Sequence, residues 1–304
     1  MSLASLILLI ICLVIIKFRK AMAHHYARLN DISSEVFTSS LGEIEYLLQG
    51  KGPTVLISHG ITGGVDQGIG LSKDYIGEGY QFLFVSRFGY LRSSKPDNAS
   101  PKLQAQIYKE LLDYLGIRKV FVFGNSAGST SAIYFAIDYP ETCIGLILVS
   151  PNAPLDVPSA HPPKFVFRFN LLYWFMMKLL GKWMLSMFVP KAVLGALSNK
   201  EISQLIDDLY FSALPVSERY EGIVFDLFVS NPSINDELFF DRIGCPALIV
   251  NAVDDPATLI SGARTLAKSI KDSELYTFAT GGHLILGHKE EIRQKTSDFI
   301  SSNS

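Results

Sequence analysis

The residues best suited to chemistry are Gly124-Asn125-Ser126-Ala127-Gly128, a G-x-S-x-G pentapeptide. It follows the β-rich run KVFVF at residues 119–123 and precedes a stretch with helical character, residues 127–138. That setting carries more weight than the pentapeptide, which arises by chance in Gly-rich turns. A sharp strand-to-helix turn holds a serine in a strained conformation with its hydroxyl exposed. The helix N-terminus behind it favours developing negative charge. The turn leaves no room for bulky neighbours, and Gly124, Ala127 and Gly128 satisfy that demand. Ser126 is the candidate nucleophile.

A hydroxyl is a poor nucleophile at neutral pH and needs a base. The chain has six histidines. His24 and His25 lie beside an apolar N-terminal run, His161 lies in a proline-rich stretch, and His288 is placed on the final helix. His59 and His283 each follow a strand in a Gly-rich loop. There a base can reach the serine from the carboxyl ends of parallel strands. His59 fits better as part of an oxyanion loop, so His283 is the candidate base. The base needs a carboxylate to fix its tautomer. The run NAVDDP at residues 251–256 offers Asp254 and Asp255; Asp255 is preferred, one of the two serving as a helix cap. The order Ser126, Asp255, His283 is that of a strand-turn-helix hydrolase. Two backbone donors must hold the oxyanion. Ala127 supplies one amide, and Ile61, in the HGITGG loop, supplies the other. Taken singly, each feature also reads as ordinary structure: a loop histidine bonded to backbone, or a plain glycine turn.

The elements that must position these groups alternate from residue 35 onward. Strands are expected at 35–39, 43–48, 54–58, 81–85, 119–123, 143–149, 246–252 and 275–278. Helices are expected near 67–77, 102–115, 127–138, 256–270 and 289–300. Apolar runs such as IGLILV and PALIV suit strands covered on both faces. Alternating strands and helices imply an α/β fold with a mostly parallel sheet flanked by helices. Residues 151–242 break the rhythm. They open with a proline-rich turn, 151–163, and continue as helical segments over 165–180 and 183–197, dense in Phe, Trp, Leu and Met. This region reads as an inserted helical cap, leaving 34–150 and 243–304 as the core.

Composition limits the alternatives. The formal net charge is −2, with no run of like charge, which gives no sign of a nucleic-acid partner. There is no metal-ligand spacing and no phosphate-binding loop, and Gly68-Ile69-Gly70 lacks the third glycine of a dinucleotide fingerprint. No cofactor and no metal are expected. The three cysteines, Cys12, Cys143 and Cys245, are expected to be free, buried thiols. Residues 3–16 are apolar apart from Ser5, and Lys17, Arg19 and Lys20 follow. Residues 1–20 are read as a short membrane anchor, with the catalytic domain facing the cytoplasm. A cleaved signal peptide (Ala21-Met22-Ala23) and a helix packed on the body compete with that reading. Cap aromatics and an anchor together suggest a small, apolar, uncharged ester or lipid-like substrate.

His59-Gly60…Gly63-Gly64, Arg87-Phe88-Gly89-Tyr90, the Ser126 turn, NAVDDP and GGHLILGH together resemble the α/β-hydrolase fold family. GGVDQG with SRFGYLRSS is most similar to a poorly characterised branch of it. The resemblance runs from about residue 35 to the C-terminus, with the cap least matched. It implies an eight-stranded sheet and a Ser-Asp/Glu-His triad. Ala252 and Ser86 depart from the glycine and aspartate common at those places. The expected activity is that of a serine hydrolase of carboxylesterase or lipase type. Acyl transfer or carbon–carbon hydrolysis by the same residues, and a non-catalytic ligand-binding or sensing role, are the alternatives. Epoxide hydrolysis or dehalogenation would need a carboxylate where Ser126 stands.

Overall fold

The computed structural model describes residues 2–154, 163–236 and 238–304. Eight strands form one sheet: β1 (Glu35–Ser39), β2 (Gly42–Gly50), β3 (Thr54–Ser58), β4 (Gln81–Val85), β5 (Val120–Asn125), β6 (Cys143–Val149), β7 (Ala247–Ala252) and β8 (Ser273–Phe278). Their spatial order is β1-β2-β4-β3-β5-β6-β7-β8. β2 runs antiparallel to β1 and β4, and every other pairing is parallel. This is the mostly parallel, eight-stranded architecture expected from the sequence. Successive side chains on a strand face opposite ways, so β5 sends Val120 and Val122 to one face and Phe121 and Phe123 to the other. All four are fully buried, each contributing roughly 1.5–3 kcal/mol of transfer free energy.

Helices cover both faces. α2 (Val65–Tyr75) and, near the C-terminus, Lys289–Ser302 pack on the Phe121 side. α3 (Pro101–Tyr114), α4 (Ser129–Asp138) and the helix Ile260–Ser269 pack on the Val122 side. Between β6 and β7 the described residues form helices and turns: α5 (Asn170–Met184), α6 (Lys191–Ala196), α7 (Asn199–Leu209) and α8 (Tyr220–Phe225), followed by a π-helical turn, Asp226–Ser230. With α1 (Leu3–Asn30) at the N-terminus, this numbering makes Ile260–Ser269 α9 and Lys289–Ser302 α10. The insertion has its own apolar cluster, built around Tyr173, Trp174, Met177, Leu214 and Ile223. The proline-rich turn expected at 151–163 falls largely outside the described residues.

Several boundaries differ from the sequence reading. α9 starts at Ile260 and not at Pro256, because the Asp255 carboxylate takes the amides of Ala257 and Thr258 into a turn first. Helical pattern over 183–197 is cut after Met184 by a turn that ends at Pro190, and α6 begins after it. His288 is not on the last helix but caps it, with Nδ1 3.1 Å from Glu291 Oε1. Cys12 is exposed, whereas Cys143 and Cys245 are buried with their sulfurs 3.7 Å apart.

The N-terminal segment corrects the expectation of a membrane anchor and of a membrane location with a cytoplasm-facing domain. Among the described residues, no helix is long and apolar enough to cross a membrane. The apolar part of α1, residues 3–16, rises only about 21 Å at 1.5 Å per residue, against a hydrocarbon thickness of about 30 Å. The helix then continues through Lys17, Arg19, Lys20, His24, His25 and Arg28. This second half packs on the body. Phe18 meets Trp174 edge-on at 5.8 Å, Met22 is buried in the insertion's cluster, and Arg28 pairs with Asp66 at 2.7 Å.

Candidate active site

β5 ends at Asn125, and Ser126 sits on the turn into α4 with φ +48°, a left-handed conformation uncommon for a non-glycine residue. The surroundings enforce it. A Cβ on Gly124 would stand 2.8 Å from Ser129 Cα, and one on Gly128 would stand 2.2 Å from the Ser58 carbonyl oxygen. α4 is thus seated directly on the strand ends, as only glycine allows. The Asn125 side chain donates to the Val149 carbonyl at 3.1 Å, tying the turn to the neighbouring strand.

His283 lies in the loop after β8. Gly281 and Gly282 precede it with φ +127° and +63°. The His283 amide donates to the Phe188 carbonyl at 2.7 Å, and the Ser150 hydroxyl donates to the His283 carbonyl at 2.8 Å. The backbone is therefore held from the insertion on one side and the sheet on the other. Phe188 also lays its ring 5.6 Å from the imidazole. His283 Nε2 is 3.0 Å from Ser126 Oγ, and Nδ1 is 2.9 Å from Asp255 Oδ2. A carboxylate accepts only, so the Nδ1 proton faces Asp255 and the Nε2 lone pair accepts from the serine hydroxyl.

Asp255 follows β7. Burial pushes its carboxyl up, but the His283 charge and hydrogen bonds from His283 and Thr258 outweigh this and hold it below the ordinary carboxylate range. The Thr258 hydroxyl donates to Oδ2 at 2.7 Å. Asp254, the alternative acid, points elsewhere: its Oδ1 accepts the Gly282 amide at 2.9 Å. It steadies the histidine loop without touching the ring.

The HGITGG loop lies beside the serine. A Cβ added to Gly60 would be 3.5 Å from Ser126 Cβ. His59 does not reach Ser126. Its Nδ1–H donates to the Gly60 carbonyl at 2.7 Å, and its Nε2 accepts the Arg87 amide at 3.0 Å. Burial drives its pKa well below the ordinary value, and the Arg87 charge adds to the effect. The Gly60 amide donates to Gln67 Oε1 at 2.8 Å. Ile61 and Ala127 thus flank Ser126, one on this loop and one at the start of the turn into α4. His24 and His25 line a separate groove beside α1, and His161 lies outside the described residues.

Ser126 and His283 open into a cleft of about 1200 Å³ between sheet and insertion. Phe167, Met184, Met187, Phe188, Leu209 and Leu227 give it an apolar wall. Its charged lining balances: Arg28, Arg219 and Lys289 against Asp66, Asp74 and Asp208. Arg28 and Arg219 both bond Asp66, and Lys289 bonds Asp74 at 2.6 Å. Among the described residues, no cluster of His, Cys, Asp or Glu could hold a metal ion.

Three parts of the site were not foreseen. Thr258 carries no motif of its own. Ser86, at the place of a common aspartate, donates to Glu45 Oε2 at 2.7 Å and accepts the Val65 amide, so a carboxylate still stands there, supplied by β2. Arg87 pairs with Asp226 of the insertion, both fully buried. Arg87 was legible as part of the RFGY turn, but nothing around Asp226 marks it in the sequence.

Residues 53–182 match the family model for the alpha/beta hydrolase fold. An uncharacterized hydrolase of Bacillus subtilis, YcgS, is 30% identical over 84% of this chain and 93% of its own length. A 2-hydroxy-6-oxononadienedioate/2-hydroxy-6-oxononatrienedioate hydrolase of Paraburkholderia xenovorans is 24% identical over 93% of this chain and 96% of its own. Among solved structures, an alpha/beta hydrolase fold protein from Nakamurella multipartita superposes with a TM-score of 0.70 at 23% identity, covering 90% of this chain and all of that one (100%). The chain belongs to the α/β-hydrolase fold family.

Proposed function

We propose that this protein is a serine hydrolase that cleaves an ester or related acyl bond in an apolar, uncharged small molecule. The observation that carries it is the continuous relay from Ser126 Oγ through His283 to Asp255, at 3.0 and 2.9 Å, opening into an apolar cleft. Ser126 Oγ attacks the acyl carbon as His283 Nε2 takes its proton. Asp255 stabilises the imidazolium that forms. The oxyanion is met by the amides of Ile61 and Ala127, each such donor being worth roughly 3 kcal/mol of barrier. Collapse expels the alcohol, protonated by His283. Water then attacks the acyl-enzyme with the same groups acting in the same order.

Residues 151–242 act as the cap over this cleft and set the substrate's shape. The balanced charge of the lining supports an uncharged substrate. It separates this chain from relatives whose names specify a dioate, because each lining arginine here already has a carboxylate partner. The test is labelling of the full chain and of Ser126→Ala with a fluorophosphonate, followed by turnover of p-nitrophenyl esters of rising acyl length and of a dicarboxylate diketone. Labelling of the parent alone, with preference for medium or long acyl chains, is expected. Equal labelling of the variant, or turnover of the dicarboxylate in preference to the esters, would overturn the proposal.

A further inference from the structure

We infer that the buried Arg87–Asp226 pair is a positioning device through which the insertion aims the Ile61 amide at the reacting oxygen. The inference rests on the Ser126 chemistry proposed above and adds residues to it. The Gly60–Ile61 peptide is planar and trans, so its carbonyl oxygen and its N–H point in opposite directions. Whatever fixes one end aims the other. The Gly60 oxygen is held by three donors: His59 Nδ1–H at 2.7 Å, Arg87 Nη2 at 3.3 Å and the Gly63 amide at 3.3 Å. Its N–H therefore faces the opposite side, where Gly60 abuts Ser126. A guanidinium at the carbonyl end also polarises the peptide and strengthens its N–H as a donor to an anion.

Arg87 does not hold this position alone. Its Nη1 and Nη2 form a bidentate pair with the Asp226 carboxylate at 2.6 and 2.5 Å, and neither side chain is exposed to water. The Tyr90 hydroxyl donates to the same carboxylate. Asp226 belongs to the insertion, whereas Arg87 and Tyr90 lie on the turn after β4. The insertion is hydrogen-bonded to that same turn: the Gly222 amide donates to the Gly89 carbonyl at 2.9 Å, and the Leu91 amide to the Glu218 carbonyl at 2.7 Å. The path runs from seated insertion to Asp226, Arg87, the Gly60 carbonyl and the Ile61 N–H. Arg87, Asp226 and His59 touch no substrate in this scheme; they position a group that does.

The test uses the full chain. Arg87→Met combined with Asp226→Leu replaces the ion pair with two apolar side chains and leaves no unpaired buried charge, a change that buried pairs tolerate. Arg87→Lys is the second variant. It keeps a cation for Asp226, but its ammonium ends about one bond short of the place of Arg87 Nη2, the nitrogen that bonds Asp226 and Gly60 together, so a lysine drawn to the carboxylate falls short of the Gly60 oxygen. The double variant is expected to lose about 10- to 100-fold in kcat with KM within about twofold, the signature of a donor used only in the transition state. Arg87→Lys is expected to lose about 3- to 10-fold with the same split. A trifluoromethyl ketone, which forms a tetrahedral adduct on the serine, should weaken by the factor lost in kcat. Purely structural damage would raise KM or lower the melting temperature without that matched loss. A folded Arg87→Lys with parental kcat and parental inhibitor affinity overturns the positioning role, whether or not the double variant folds. A parent that neither turns over esters nor takes a phosphonate on Ser126 overturns the proposed chemistry and this role together. The parent assay thus tells the two failures apart.

Discussion

Adjacent aspartates with different partners allow a sharp test of the relay. Asp255 accepts four hydrogen bonds: the Ala257 and Thr258 amides at 2.8 and 2.9 Å on Oδ1, and the Thr258 hydroxyl and His283 Nδ1–H at 2.7 and 2.9 Å on Oδ2. In Asp255→Asn the side-chain oxygen is claimed by the two amides, so the NH2 group takes the place of Oδ2. It presents a donor to His283 Nδ1. The Thr258 hydroxyl can rotate to accept, but the imidazole must move its proton to Nε2. Nε2 then faces Ser126 as a donor, and the base is gone. A wrong tautomer of this kind costs about 10⁴ in kcat, or about 5.5 kcal/mol at 1.36 kcal/mol per tenfold. Asp254→Ala removes one bond to the Gly282 amide, worth about 1 kcal/mol, so less than about tenfold in kcat is expected. Both are read as kcat on one p-nitrophenyl ester, with thermal melts to establish folding. Asp255→Asn within tenfold of the parent, or Asp254→Ala below Asp255→Asn, would refute the assignment.

Other outcomes follow from the same geometry. Gly282→Ala places a Cβ 2.6 Å from the Phe188 carbonyl oxygen at a φ of +63°; the left-handed backbone alone costs about 1–2 kcal/mol, so both melting temperature and kcat should fall, and a variant unchanged in either contradicts the packing described. Asp66→Asn leaves Arg219 and Arg28 facing each other without their shared carboxylate, and denaturant unfolding should show a loss of about 3 kcal/mol, the low end for a broken buried pair because Arg28 is partly exposed. Burial first, then Arg28, His24 and Arg219, push His25 down to about 4. Its folded value lies below the unfolded value near 6.5, so its contribution is complete above about pH 6.5 and is lost as pH falls toward 4, where the unfolded chain binds the proton first. Melts across that window should drop more steeply for the parent than for His25→Asn, and parallel curves would contradict the sign.

The sheet was readable because buried parallel strands write themselves as short apolar runs: KVFVF, IGLILV and PALIV each became a central strand. The glycines around Ser126 were readable for the same kind of reason, since close approach leaves a residue type and not only a pattern. Asp254 against Asp255 was undecided in the sequence because two neighbouring carboxylates differ only in which way the turn sends them. Asp226 left no trace, for its partner is 139 positions away and its own neighbours are plain apolar residues that form no motif. The N-terminal helix misled for a physical reason too. An apolar run followed by cations reads as an anchor, yet this run is several residues short of a span; in the structure residues 3–16 stay largely exposed, and it is Phe18, Met22 and Arg28 beyond them that pack on the body.

The π-helical turn at Asp226–Ser230 has a consequence for how the cleft can change. One end is fastened, because Asp226 is locked to Arg87; the other delivers Asn231, Pro232 and Ile234 to the cleft wall. A π turn holds about one more residue than an α turn, and one residue of helical winding corresponds to a rotation of about 100°. The widened turn is therefore a phase setter. Deleting a single residue within it would leave the fastened end in place while swinging the far side chains about a quarter-turn around the axis. Substrate shape at this wall can thus be retuned by chain length alone, with the sheet, the serine turn and the histidine loop untouched.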